Sequence, residues 1–271
     1  MLAIIGALFI FSKTKNNEKE QILKKQKEFE QNKLLVFRSM VETIENTISI
    51  QLESLEGFVS GFEEEDDEDE KVMIPIFGVV TNADISRLVN SNSYEDFMLA
   101  YIKYVGKEKA DVQCFLNIYS NSEFFFALNN KIDAEYVKAK DLNYLRRTKA
   151  TDLIEEFSKI LNSAYISNTE ISNSKPYEDL RSEFTSTNTI VAFYANICPR
   201  IITLIDSMIL EERFSHEVIR IHGAFKNLYS DIIYNKESLK SDFIKYIDQY
   251  KKAKSDFEAD LEKIKGYYAG R

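Results

Sequence analysis

Residues 34–62 read LLVFRSMVETIENTISIQLESLEGFVSGF, and the spacing of their apolar residues decides the fold class. These residues recur at intervals of 3, 4, 3, 4, 4, 3, 4 and 3, which is the period of one face of an α-helix. The pattern predicts one long helix, from about Glu18 to Phe62, with a coiled-coil-like seam for its neighbours. The seam consists of Leu34, Phe37, Val41, Ile44, Ile48, Leu52, Leu55, Val59 and Phe62.

Helical periods continue downstream. We expect shorter helices that begin near Tyr94, Glu108, Ala134 and Thr151, and a loop over 167–176. A central helix is predicted from about Asn188 to Leu210, because apolar residues cover most of its circumference. Pro199 should kink this helix, since proline removes a backbone hydrogen bond. The final helix, from about Lys236, carries a further seam made of Phe243, Tyr246, Tyr250, Ala253, Phe257, Leu261 and Ile264.

Glycine and proline are scarce, with 8 Gly and 3 Pro among 271 residues. Sandwiches and barrels need many turn residues, and nucleotide-binding α/β folds need glycine-rich loops, so this scarcity disfavours both. We therefore predict an all-α protein, with a long N-terminal helix followed by a helical-bundle body with coiled-coil-like packing. At most one short extended segment is expected, near 72–80, where Pro75 and Gly78 disfavour a helix.

The N-terminal tip, residues 1–12, is almost entirely apolar, and its first eleven residues read MLAIIGALFIF. Eleven helical residues extend about 17 Å, less than the roughly 30 Å of a hydrocarbon core. The tip either dips into or crosses a thinned membrane, or belongs to a span that starts upstream, or is buried against a partner. No basic region precedes it, which argues against a cleaved signal peptide.

Lysines follow the tip, and they predict which side of the membrane the protein occupies. Six lie between Lys13 and Lys27, diluted by three glutamates. Because basic flanks stay in the cytoplasm, we expect the body on the cytoplasmic side of a membrane, with the tip in or on it.

An acidic run, EEEDDEDE at 63–70, accounts for nearly all of the formal net charge of −9. Eight like charges cannot pack together, so we expect a disordered loop over 63–71. The predicted organisation is therefore a tip (1–12), a helical stalk (13–62), this loop (63–71) and a helical-bundle body (72–271). The chain has no broad basic field, so nucleic acid is not the expected partner.

Residues with catalytic or metal-binding chemistry are few. His216 and His222 are six apart, which turns the second ring about 120° from the first, so they do not match a zinc-binding helix. Cys114 and Cys198 form no CxxC and are expected to be unreactive thiols. We assign no catalytic, cofactor-binding or metal residues and expect no cofactor.

One basic cluster remains as a candidate anion-binding surface, with an ordinary solvated face as the alternative. Its members are Lys138, Lys140, Arg146, Arg147 and Lys149. Two of them, Lys138 and Lys149, are eleven residues apart and so return to nearly the same side of a helix.

These features predict a non-enzymatic, membrane-associated helical interaction, scaffold or regulatory protein. We expect an accessory subunit of a bacterial membrane complex or of a stress or defence pathway. Its partners would be other proteins or copies of itself, bound through the helical seams, and the membrane, bound through residues 1–12. One alternative is a helical nucleic-acid-binding protein that uses the basic residues of 138–149. Another is an enzyme whose site is assembled from scattered carboxylates.

Overall fold

The computed structural model describes 2–63, 72–90, 94–167, 170, 173–187, 189–206 and 212–269. Of these residues 91% are helical, and none of them forms a strand. The prediction of an all-α protein with a long N-terminal helix and a packed helical body is confirmed. The helix α1 already begins at Leu2, so the backbone of the predicted tip is helical.

Three long helices and several short ones make up the chain. The long ones are α1 (Leu2–Ser60), α4 (Lys109–Ser167) and α8 (Glu212–Ala269). The short ones are α2 (Ala83–Asn90), α3 (Tyr94–Tyr104), α5 (Lys175–Ser186), α6 (Ile190–Ala192) and α7 (Cys198–Asp206). A π-helical turn, Phe193–Ile197, joins α6 to α7.

The helix α4 unites three segments that the sequence predicted separately, and α8 begins at Glu212 and continues through the predicted start of the final helix near Lys236. Neither glycine nor proline occurs between Lys107 and Ile166, so nothing there forces a break. The Asn and Ser residues between these segments are weak helix formers, and packing overrides that preference.

The chain divides into two compact units. Unit 1 comprises Met1–Leu52, Val80–Asn130 and Asp248–Arg271. Its core contains an aromatic cluster in which the ring of Phe37 lies 5.6 Å from that of Phe97 and 5.0 Å from that of Phe115. These three side chains come from α1, α3 and α4, so the core of unit 1 fixes these three helices against one another.

Unit 2 comprises Glu53–Val79 and Lys131–Ile247. In its core the ring of Phe193 packs 4.6 Å from that of Phe225 and 5.6 Å from that of Phe157. The fully buried Ile201 of α7 belongs to the same cluster. The predicted boundaries at 12, 62 and 71 stay a prediction. The acidic run lies outside the described residues, except for Glu63, which forms an ion pair with Lys240 at 3.3 Å.

Pro199 explains the π-helical turn. The amide of Cys198 donates to the carbonyl of Phe193, five residues back, instead of four as in an α-helix. Pro199 has no N–H and its ring would crowd the carbonyl of Ala195, and the widened turn accommodates both effects. The sequence predicted a kink at this residue, and the structure contains a local π-bulge immediately before it.

The segment 72–82 contains no strand and no α-helix, and side chains bind its backbone. Asn143 donates its side-chain amide to the carbonyl of Val72 at 3.1 Å. Tyr136 accepts from the amide of Phe77 at 3.1 Å. These bonds satisfy backbone groups that would otherwise be buried without partners.

The turn between α3 and α4 requires glycine at position 106. A Cβ there would lie 1.9 Å from a carboxylate oxygen of Asp111, which accepts from the amide of Glu108 at 3.2 Å and so caps α4. We predict that Gly106→Ala lowers the free energy of unfolding by about 1–2 kcal/mol, because the cap must move. Gly223→Ala is the control, since nothing lies within 4 Å of its Cβ position.

Urea denaturation measures both glycine variants. Gly223→Ala should raise the free energy of unfolding by about 0.5–1 kcal/mol, as expected for a helix-interior glycine. Equal stabilities of Gly106→Ala and the parent chain would contradict the role of Asp111 as a cap.

Candidate interaction surfaces

The two arginines of the predicted anion-binding surface lie in unit 2, and Arg146 is bonded there. Arg146 donates to the carbonyl of Asp231 at 3.0 Å, and its guanidinium lies 3.6 Å from the carboxylate of the same residue. Arg147 is half-buried, and its Nε is buried without a hydrogen-bond partner in the described part of the chain. These guanidinium groups flank the buried side of α4 and do not extend freely into solvent.

The three lysines of the cluster are exposed, and they occupy two different sides of α4. Lys138 and Lys149 share the outward side, as their spacing predicted. Lys140 lies about 160° from Lys138 around the helix axis, and its ammonium sits 6.0 Å from the ring of Tyr136. Of the five predicted cations, Lys138 and Lys149 thus share one side of α4, about 17 Å apart along the helix, with the exposed Leu145 between them on that side.

A second surface lies in unit 1, where α1 leaves the packed core. Every described side chain from Lys13 to Phe29 is exposed, although the backbone there is continuously helical. From Lys13 onward, the first buried position of α1 is Leu34. This exposed stretch includes the large apolar residues Ile22, Leu23 and Phe29, which the predicted seam did not contain.

A groove of about 530 Å³ runs between α1 and α3 at the base of this exposed stretch. Phe29 and Leu99 line it, with 61% and 66% of their surfaces exposed. The half-buried Ile102 and the buried Ala100 complete its apolar side. Exposed apolar side chains that converge on one groove are the usual mark of a binding surface.

Two ion pairs hold the walls of this groove together. Lys33 lies 2.6 Å from the carboxylate of Asp96, and Lys103 lies 2.5 Å from that of Glu30. The hydrogen bond from Lys103 lowers the pKa of Glu30, and a second from Tyr104, at 2.8 Å, acts in the same direction. The carboxylate of Glu30 is therefore charged at neutral pH and ties α3 to α1.

Lys107, just beyond α3, also lines the groove, and it forms no ion pair with the described residues. The two charge pairs in the walls are internally neutral, so Lys107 leaves the groove with a net positive charge. A ligand that combines an apolar face with negative charge would match both properties.

The histidines lie in unit 2 and are far from equivalent. His216 is exposed, whereas His222 is half-buried and its Nε2 has no hydrogen-bond partner in the described part of the chain. Burial lowers the pKa of His222, so the ring is neutral at physiological pH. Among the described residues no group of three or more His, Cys, Asp or Glu side chains could hold a metal ion.

The cysteines are buried and free, as expected for unreactive thiols. Burial raises the pKa of Cys114 and of Cys198 to about 11, which disfavours the nucleophilic thiolate. The Sγ of Cys114 donates to the carbonyl of Asp260 at 3.1 Å. Both thiols therefore serve packing.

Lys236 is a buried titratable residue that the sequence did not single out. Its ammonium lies 5.6 Å from the ring of Phe62, and burial lowers its pKa to about 8. Its burial could have been predicted from spacing, because position 236 lies on the same side of α8 as the buried apolar residues Ile232 and Leu239.

The chain matches no protein-family model, no curated protein and no solved structure. Within the described residues, none of the helices contains a stretch that is both long and apolar enough to cross a membrane. The surfaces of the molecule itself therefore carry any functional inference.

Proposed function

We propose that this chain is a non-enzymatic, membrane-associated helical interaction protein on the cytoplasmic side of a membrane. It serves as an accessory subunit of a bacterial membrane complex or of a stress or defence pathway. The proposal rests chiefly on one observation, the continuous helix α1, which leaves the packed core so that every side chain from 13 to 29 is exposed.

The exposed part of α1 has the properties of a spacer. Its 17 residues, Lys13 to Phe29, extend about 25 Å at 1.5 Å per residue. The apolar sequence 1–11 precedes it, and its side chains lie outside the described residues. A helix with an apolar end and a polar shaft suits attachment at the end, with the packed core held away from the bilayer.

The lysines of the shaft support attachment by the end of the helix. At 100° per residue, the six lysines of the shaft fall on all sides of α1, with Lys25 on the side that the other five leave open. A helix that lies flat in the membrane interface instead separates a broad apolar face from a charged one. Lysines around the whole circumference match a helix whose apolar end enters the bilayer at a steep angle while its charged shaft stays outside.

The groove between α1 and α3 is the best candidate for the protein-binding surface in this proposal. It has exposed apolar side chains that converge, Phe29 and Leu99, on walls fixed by two ion pairs. The cluster on α4 favours nucleic acid less, because Arg146 is held by Asp231 and Lys140 lies on another side. Binding to a duplex that falls steeply with salt would favour that alternative.

Deletion of residues 2–12 tests the membrane part of the proposal. We predict that the parent chain floats with phospholipid vesicles in a density gradient and that the deletion variant stays at the bottom. The helical content by circular dichroism should change little, since 13–29 already stand free of the core. Flotation of the deletion variant at the level of the parent would overturn the tip as the anchor.

A further inference from the structure

The exposed groove lies beside the buried contact between α1 and α3. In the core, Phe37 of α1 packs against Phe97 of α3, with their ring centres 5.6 Å apart. Eight residues toward the N-terminus of α1, and about 80° further around the helix, Phe29 lines the exposed groove together with Leu99 of α3. These outer positions keep the apolar character of the inner contact, but they lack a covering helix among the described residues.

The apolar face extends beyond the groove along α1. Ile22 lies seven residues before Phe29 and is exposed on nearly the same side of the helix. From Ile22 to Lys33 the face is about 17 Å long, which is the length of about three helical turns. An amphipathic helix that lies along it would contact Ile22, Phe29 and Leu99 with side chains spaced at i, i+4 and i+7.

The charges beside this face select the kind of helix. Lys25 flanks Ile22, and Lys107 lies at the other end of the groove, and neither pairs with a described residue. The nearby carboxylates of Glu30 and Asp96 are already bound to Lys103 and Lys33. Along 13–29 six lysines outnumber three glutamates, and Lys107 adds a further cation at the groove, so the surroundings of the face are net positive and favour acidic side chains on the partner.

We propose that the α1–α3 face binds an acidic, amphipathic helix of a partner protein. This inference rests on the proposed function and names the class of partner for its binding surface. A second copy of α1 fits the face poorly, because six lysines and three glutamates between 13 and 29 make two such segments repel. The bilayer fits poorly as well, because the spacer holds the groove about 25 Å from the tip.

The test uses the full chain in detergent micelles and a synthetic probe. The probe is a helix of about four turns with leucines at i, i+4 and i+7 and glutamates on its polar side. A counterpart with lysines in place of the glutamates tests the charge. Fluorescence anisotropy of the labelled peptides gives the dissociation constants.

The variants are matched by exposure. Leu99→Asp alters the groove, and Leu145→Asp on α4 is its control, since Leu145 is 56% exposed in unit 2. Lys107→Glu alters the charge at the groove, with Lys138→Glu on α4 as its control. Leu99→Ser adds no charge, so it shows whether loss of the apolar side chain alone weakens binding. A thermal melt of each variant excludes a folding defect as the cause.

The acidic peptide should bind the parent chain, and Leu99→Asp should weaken binding by about tenfold, as expected for the loss of one apolar anchor. Lys107→Glu should weaken it by about threefold, the size of a rim charge effect. For both control variants, the dissociation constant of the acidic peptide should stay within twofold of the parent's, which is a difference in binding free energy of about 0.4 kcal/mol or less.

Equal binding of the lysine counterpart, or unchanged binding by Leu99→Asp, would overturn the proposal. So would a dimer of the parent chain in sedimentation that Leu99→Asp abolishes, because the occupant would then be a second copy. Vesicle binding of the tip-deleted chain that depends on Leu99 would assign the face to lipid. If the parent chain floats with vesicles but does not bind the acidic peptide, this inference fails and the proposed membrane attachment stands. If the chain binds the peptide but does not float, only the membrane attachment through residues 1–12 fails.

Discussion

Replacing Ile201 by aspartate should unfold unit 2. Ile201 is 0% exposed and lies in the apolar cluster around Phe193 and Phe225. A carboxylate there must stay charged without a partner or take up a proton, and either cost is several kcal/mol. That loss rivals the whole stability of a typical domain, about 5–15 kcal/mol.

The neighbouring residue provides the control for this substitution. Ile202 follows Ile201 on the same helix but is 46% exposed. Ile202→Asp should therefore keep the parent's circular dichroism and resistance to proteolysis, whereas Ile201→Asp should lose both in unit 2. Equal resistance of the two variants would mean that α7 does not pack as the structure describes.

Truncating Phe37 should have the next largest effect, in unit 1. Its ring packs against those of Phe97, Tyr101 and Phe115, at 5.6, 6.4 and 5.0 Å between ring centres. Phe37→Ala should lower the free energy of unfolding by about 3–5 kcal/mol, because it removes buried surface and leaves a cavity. Urea denaturation followed by circular dichroism measures this loss.

Val36→Ala is the matched control, because Val36 precedes Phe37 on α1 and is exposed. Its cost should stay below about 1 kcal/mol, as is usual for surface substitutions. A loss for Phe37→Ala as small as that for Val36→Ala would show that the aromatic cluster does not hold α1 in unit 1.

The helical seams were predictable because burial leaves a periodic record in the sequence. All seven seam residues of the final helix, from Phe243 to Ile264, are buried. The seam of α1 was right up to Ile48 and again at Leu55 and Phe62. Between them the buried positions are Gln51 and Phe58, whereas Leu52 and Val59 are only half-buried.

Gln51 shows why the pattern failed locally. Its side-chain oxygen accepts from the amide of Val80, so a polar residue is buried to satisfy a backbone group of another segment. Such a bond depends on a contact between distant parts of the chain. Hydrophobic periodicity, which reports only apolar side chains, therefore selected the adjacent leucine.

The groove was only partly visible in the sequence. Leu99 lies two residues after the buried Phe97 on α3, and so on the other side of that helix, which is consistent with its exposure. Its neighbour in space, Phe29, was not predicted, because pairing Phe29 with Leu99 requires the position of α3 against α1. The predicted cluster of cations on α4 was misleading for a related reason. The sequence does not show that Asp231 of α8 lies beside Arg146 and binds its guanidinium.

The most direct test of the central claim is the depth of α1 in a bilayer. Spin labels at Ala7→Cys and Lys19→Cys report accessibility to oxygen, which partitions into lipid, and to a water-soluble nickel complex. Cys114 and Cys198 should stay unlabelled, because they are buried and their pKa values are raised to about 11. With phospholipid vesicles, we expect the label at 7 to meet oxygen and the label at 19 to meet nickel. Equal accessibility of both labels to nickel would contradict a membrane-attached tip.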